Sequence, residues 1–207
     1  MVEVTDICKS YGGKPVLKSV TFSAHERDFI CIVGRNGCGK STLLNILAGM
    51  LKADSGILTV QEGKTIGFTP QADVLFNDLS VNDNLKFWAS ASGIKTSGIW
   101  ENECVKILDI EDMKRKKVKN LSGGMKRRVS IAISILKNPD IVILDEPFSA
   151  LDIFYKKSLT DYLKNLNGMG KTIIYTSHSS DEIVGLCSKV LLIENGEITD
   201  RTGEYEK

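Results

Sequence analysis

The chain has 207 residues, 42% hydrophobic and 26% charged, which is the balance of a globular protein with one domain or two small ones. Its formal net charge of +1 gives no global field that would draw it to nucleic acid, and no nucleic-acid partner is expected. No apolar run approaches the roughly 18 residues of a membrane span, and Met1 to Asp6 lacks the basic and apolar regions of a secretory leader, so membrane contact is expected only through a partner chain.

In chain order, the first third reads as strands. Val2 to Ile7 alternates, Val16 to Ser23 continues, and Phe29 to Val33 is fully apolar. Ile57 to Val60 and Thr65 to Phe68 are two further short strands that flank the polar turn Gln61 to Lys64. From Val81 to about Asn138 the apolar residues recur at helical spacing, interrupted by Gly93 and Gly98. Strand and helix then alternate: Ile141 to Leu144, a helix from Ile153 to Leu166, Thr172 to Thr176, a short helix from Ser180, and Val190 to Ile193. That alternation predicts an α/β core with a parallel, doubly wound sheet, interrupted by a helical insertion. The five cysteines, Cys8, Cys31, Cys38, Cys104 and Cys187, have no metal-ligand spacing and read as free thiols in a reducing compartment.

The motif with the most chemistry is Gly34-Arg35-Asn36-Gly37-Cys38-Gly39-Lys40-Ser41, which fits G-x-x-x-x-G-K-[ST] between the apolar strand and an amphipathic helix beginning near Thr42. Its glycines let backbone N–H groups turn inward around an anion, and the helix N-terminus adds positive dipole. Lys40 supplies a charge for the β- and γ-phosphates, and the Ser41 hydroxyl can ligate Mg²⁺. The chain is therefore expected to bind a nucleoside triphosphate, and alkylation of Cys38 within the loop is expected to block it. Ile141 to Leu144 leads into Asp145-Glu146: Asp145 suits a Mg²⁺ ligand, and Glu146, projecting the other way, can orient or deprotonate a water. Leu121-Ser122-Gly123-Gly124-Met125 opens a helix expected from Met125 to Leu136 and can form a second anion site from Ser122, Gly123 and Gly124. Two such helix ends serve one triphosphate most simply in a head-to-tail pair of subunits. His178 follows the strand Thr172 to Thr176 and by the general rule for α/β sheets faces the ligand crevice, whereas His25 lies in a polar loop and reads as solvated.

Taken in order, Tyr11, the loop Gly34 to Ser41, Gln71, Leu121 to Met125, Asp145-Glu146, Ser149-Ala150-Leu151-Asp152 and His178 make the chain resemble, over essentially its whole length, the ATP-binding subunit of ABC transporters. The resemblance implies a P-loop NTPase core of mainly parallel sheet with an antiparallel β subdomain (1–71 and 139–207 together) and an inserted α-helical subdomain (about 72–138). It implies that Tyr11 stacks on adenine, that Gln71 senses Mg²⁺ and the attacking water, and that Ser122 to Gly124 meet the γ-phosphate held by a second ATPase subunit. Asp152 would lie at that interface and His178 would contact the γ-phosphate, making Lys40, Gln71, Glu146 and His178 the catalytic set. The partner would be a transmembrane permease subunit, with the chain peripheral on the cytoplasmic face of the membrane. Met125 replaces the more usual glutamine, and the run to Arg128 looks like the variant frequent in exporters of drugs, antibiotics and lipid-linked compounds. Arg27 stands where the family usually has glycine, which bears on the local turn alone. No regulatory domain is expected after His178. The basic run Lys114 to Lys117, with Lys119 and Lys126 to Arg128, reads as a solvated helical face. Rival readings are a non-transport ABC ATPase of translation or DNA repair, a P-loop kinase of a small metabolite, and a nucleotide-gated structural subunit.

Overall fold

The computed structural model describes residues 1–179, 182–183 and 186–205. Six strands form the central sheet: β3 (Phe29–Val33), β5 (Ile66–Thr69), β6 (Ile141–Leu144), β7 (Thr172–Thr176), β8 (Lys189–Glu194) and β9 (Glu197–Asp200). Their order is β5-β6-β7-β3-β8-β9, parallel except for the β8–β9 edge pair. A second, antiparallel sheet has the order β2-β1-β4, with β1 (Val2–Tyr11), β2 (Lys14–Ala24) and β4 (Ser55–Val60). The two strands flanking the Gln61 to Lys64 turn therefore do not pair with each other; they close different sheets.

The alternation of side chains along the central strands divides the core into two. Phe29, Cys31 and Val33 of β3 point to one face while Ile30 and Ile32 point to the other, and Val142 and Leu144 oppose Ile141 and Ile143 in the same way. One face packs on helix α1 (Lys40–Leu47) and the antiparallel sheet. The other packs on α2 (Val81–Ala91), α3 (Glu103–Ile107), α4 (Gly123–Ile135) and α5 (Ile153–Gly168). Strands buried on both faces read as unbroken apolar runs, which is why β3, β6 and β7 are so plain in the sequence.

The helical region is less helical than its periodicity predicts. Between α2 and α4 only α3, five residues long, is α-helical; the rest is turns and irregular chain with short 3₁₀ stretches at 99–101, 111–113 and 118–120. Gly93, Gly98 and Asp109 all take left-handed backbone, and Asn102 starts α3 anew by accepting from the Cys104 N–H, so no helix can run through. The basic run Lys114 to Lys117 is accordingly no helical face. Its backbone caps α2 instead, with Lys116 and Lys114 carbonyls accepting from Val81 and Asn82. The α4 helix begins at Gly123, two residues before expectation, because Ser122 caps it by accepting from Met125 N–H. The helix expected from Ser180 begins outside the described residues.

Candidate functional site

The carboxyl ends of β3, β6 and β7 open on a cleft of about 540 Å³. Its walls bring together Tyr11, Asn36, Gly37, Gly39, Lys40, Ser41, Thr42, Gln71, Glu146 and His178, which come from five separate stretches of the sequence. Open sheets of this kind collect ligands at the carboxyl ends of their strands because neighbouring βα turns diverge there.

The phosphate loop is held by close approach. Gly34 lies at φ 150°, and a Cβ there would meet the Ile193 carbonyl oxygen at 2.5 Å and Cys38 Sγ at 2.7 Å. Gly39, at φ 112°, closes against Leu17 of β2, whose Cδ2 a Cβ would meet at 2.9 Å. Lys40 is buried, with Nζ donating to the carbonyls of Gly34 (2.7 Å) and Arg35 (3.1 Å), so the ammonium already sits over the loop that cradles an anion. Cys38 is different. It borders an adjoining groove with Lys18, Arg35 and Gly196 and is not among the residues that line the cleft.

The two acidic residues share one clamp. Asp145 is 1% exposed and its Oδ1 accepts from Thr176 Oγ1 at 2.6 Å; the same hydroxyl accepts from the Glu146 N–H at 2.8 Å. Glu146 itself adopts φ 50°, a left-handed backbone that swings its carboxylate away from Asp145 and into the cleft. There Oε1 lies 3.3 Å from Nδ1 of His178, whose ring is largely exposed. The two side chains are thus neighbours at the cleft wall, at contact distance but not aligned as a hydrogen bond. Gln71, exposed just after β5, borders the same space.

A hydroxyl, a carboxylate and an amide oxygen from Ser41, Asp145 and Gln71 are hard oxygen donors, the chemistry Mg²⁺ requires. No cluster of three or more His, Cys, Asp or Glu occurs among the described residues. Mg²⁺ characteristically keeps several waters and takes substrate phosphate oxygens, so a few protein oxygens are enough to hold it. Held there, such an ion would supply charge neutralisation for the phosphates.

Two predicted groups lie elsewhere. Ser122 and Gly123 are exposed at the start of α4 and are not part of the cleft of their own chain. Gly124 packs so closely on the Ala150 carbonyl that a Cβ would meet it at 2.5 Å. Asp152 caps α5, accepting from the N–H groups of Phe154 and Tyr155 at 3.0 and 3.1 Å. Sequence reasoning missed Thr176, whose only signal was a hydroxyl at the end of an apolar strand. It also counted Arg127 and Arg128 as surface charge, yet both are buried, at 4% and 6% exposure.

Comparison with known proteins agrees with this geometry. The ABC transporter family profile matches residues 17–149. An uncharacterized ABC transporter ATP-binding protein of Methanocaldococcus jannaschii is 38% identical over 94% of this chain and 74% of its own length. The linearmycin resistance ATP-binding protein of Bacillus subtilis is 32% identical over 96% of this chain and 68% of its own. A spermidine/putrescine import ATP-binding protein of Clostridium novyi is 30% identical over 96% and 60% respectively. Among solved structures, a dimeric bacterial ABC transporter cassette superposes with a TM-score of 0.87 at 26% identity, covering 96% of both chains. A post-hydrolysis state of such a cassette bound to ADP and Pi gives 0.88 at 27%, covering 97% of this chain and 98% of the other. A buried phosphate-loop lysine, paired strand-end acids and a matching whole-chain fold lead to one conclusion: the chain belongs to the ABC transporter family, as an ATP-binding subunit that hydrolyses ATP.

Proposed function

We propose that the chain works as one of a head-to-tail pair that closes on two ATP molecules and drives a membrane-embedded permease, with export favoured. The observation that carries this reading is the exposed N-terminus of α4. Ser122 and Gly123 present a helix dipole and backbone N–H groups suited to phosphate, yet they stand outside the cleft that holds Lys40 and Ser41. A second copy, turned to face the first, gives that helix end a phosphate to meet. A similar cassette is dimeric in its solved structure, which supports pairing as such.

In this mechanism Lys40 and the loop N–H groups hold the β- and γ-phosphates, and Tyr11 stacks on the adenine ring. Ser41, Asp145 and Gln71 would hold Mg²⁺. Glu146 accepts a proton from the attacking water as it is aligned, and His178, beside Glu146, contacts the γ-phosphate and holds the catalytic geometry. Little covalent chemistry falls to the protein, so positioning carries most of the rate. Asp152 would sit at the closing interface.

The region from about 72 to 138 is the proposed permease-facing subdomain, hinged at Gln71, with 1–71 and 139–207 forming the core and β subdomain. Supporting this, Phe76, Phe87 and Trp88 form an aromatic cluster with centroids 4.7–6.1 Å apart, and Phe76 and Phe87 stay exposed. No helix among the described residues is long and apolar enough to cross a membrane, and in this proposal the permease partner supplies the membrane step. That partner would hold the chain at the cytoplasmic face. Export is favoured by the Leu121 to Arg128 variant of the signature; relatives named for resistance and for import both align.

The test is light scattering on a sizing column with Glu146→Gln protein. Mg-ATP is expected to convert monomer to dimer, and Ser122→Trp in the same background is expected to prevent it. Dimers that form equally well with the Trp variant would refute the shared site.

A further inference from the structure

We propose that Arg127 is a positioning residue for ATP hydrolysis, its guanidinium bridging the backbone carbonyl before Gln71 to the backbone carbonyl before Glu146. This rests on the reading of Gln71 and Glu146 as catalytic groups.

Strands β5 and β6 run side by side, and their paired register ends at Thr69 and Leu144. One further bond, Asp145 N–H to the Thr69 carbonyl at 2.9 Å, closes the ladder. Beyond it the two chains separate, each carrying one catalytic side chain away from the sheet. Arg127 reaches into that fork from α4. Its Nη1 donates to the Pro70 carbonyl at 2.6 Å and its Nη2 donates to the Asp145 carbonyl. The guanidinium thus acts as a last rung, and it sets the spacing between the residue after Pro70 and the residue after Asp145.

Stability alone explains this arginine poorly. It is almost fully buried, its Nε has no hydrogen-bond partner among the described residues, and Asp73, a carboxylate 3.8 Å away, already accepts from Ser130 Oγ at 2.9 Å. A buried cation satisfied this incompletely is a weak stabiliser against an apolar side chain of equal volume. What it supplies is a rigid planar fork aimed at two carbonyls, a geometry lysine lacks. The next residue is the contrast. Arg128 donates to the Leu108 and Asp109 carbonyls, both at 2.9 Å, and stacks 3.7 Å from the Tyr155 ring, so it fastens α4 to α5 and touches neither catalytic strand end. Because α4 starts at Ser122 to Gly124, a shift of this helix on meeting a phosphate is carried by Arg127 to both strand ends together.

The experiment is steady-state ATPase kinetics on the full chain. Arg127→Gln is expected to lower kcat about 10- to 100-fold while the KM for ATP changes less than about threefold, the signature of lost alignment without lost binding. Gln71→Ala lowers kcat by itself, and adding Arg127→Gln to it is expected to cost clearly less than Arg127→Gln costs alone, since part of the arginine's effect passes through Gln71 and only the part through Glu146 remains. Arg128→Gln, a packing change, should multiply with Gln71→Ala. Unchanged kcat in Arg127→Gln overturns the proposal, as does a loss that multiplies fully with Gln71→Ala. If Arg127→Gln does not fold, Arg127→Lys is measured instead: it keeps the charge without the fork, and parental kcat in that variant overturns the bridge. Glu146→Gln is run alongside; persistent turnover there sinks the underlying reading of Glu146 and leaves the Gln71–Arg127 comparison to judge the bridge.

Discussion

Thr176 offers the sharpest test of how the acidic pair is held. Its hydroxyl is completely buried, donates to Asp145 Oδ1 at 2.6 Å and accepts from the Glu146 N–H at 2.8 Å. Thr176→Val keeps the shape and removes both bonds. The first is a bond to a buried charged group and the second a neutral one, so together their loss costs about 2.5–4 kcal/mol. For a chain of this size each kcal/mol moves the melting temperature about 2–4 °C, giving a fall of about 5–16 °C. Function should suffer beyond stability. Glu146 is kept at φ 50°, a conformation that costs about 1–3 kcal/mol for a residue with a side chain and persists only while its surroundings enforce it. With its N–H released the carboxylate can relax out of the cleft, and kcat well below the melting range should fall at least about tenfold. Thr176→Ser retains the hydroxyl and loses one methyl, so it should melt within about 1–1.5 kcal/mol of the parent and keep most of its turnover. Thermal melts by circular dichroism and phosphate-release kinetics at 25 °C read both quantities. A Thr176→Val protein melting within about 2 °C of the parent and turning over normally would refute the clamp.

Three other outcomes follow from particular contacts. Gly124→Ala drives a Cβ against the Ala150 carbonyl and should cost about 1–3 kcal/mol, whereas Gly123→Ala meets nothing nearer than Ala150 Cβ at 3.8 Å and should melt like the parent, so any lost turnover there reports phosphate contact alone. Arg27 sits at φ 65°; Arg27→Gly relieves about 1–2 kcal/mol of left-handed strain and returns part of it as unfolded-chain entropy, for a net gain of about 0.5–1 kcal/mol in denaturant melts. A hydrogen bond from Cys31 holds the Cys187 thiol below its usual pKa despite burial, while Tyr175, whose one O–H donates to the Glu182 carbonyl, can only accept from that thiol across 3.0 Å. Cys31→Ala removes the donor, so the pH midpoint of Cys187 alkylation should move up and the rate at pH 7 should fall; an unmoved midpoint would show that the bond does not favour the thiolate.

Much of this molecule could be read directly because its signals are local. A phosphate loop needs glycines, a lysine and a serine at fixed offsets, and those offsets are the mechanism itself. Strands buried on both faces must be apolar throughout, so β3, β6 and β7 stood out, and with them the strand ends that carry Asp145, Glu146 and His178. Even the left-handed turn at Arg27 was marked as a place where glycine is customary, and the backbone there does take positive φ.

What the chain alone could not decide depends on which distant segments meet. Periodicity from Val81 to Asn138 suggested near-continuous helix, because half-buried 3₁₀ turns bring apolar residues inward at much the same spacing as an α-helix. Lys114 to Lys117 and Arg127-Arg128 are one kind of basic run in sequence but opposite in place: the first caps α2 with its backbone, and the second lies in the core. A charge is buried or solvated according to the carbonyls and rings that surround it, and for Arg127 those belong to Pro70 and Asp145, 57 and 18 residues away. Thr176 became part of the acidic clamp only because β7 lies beside β6 in register. Local chemistry was thus set by the sequence. Its alignment, from the fork between β5 and β6 to the turn of Glu146 into the cleft, was decided by tertiary packing, since no short-range preference specifies a left-handed glutamate or a buried, half-satisfied arginine.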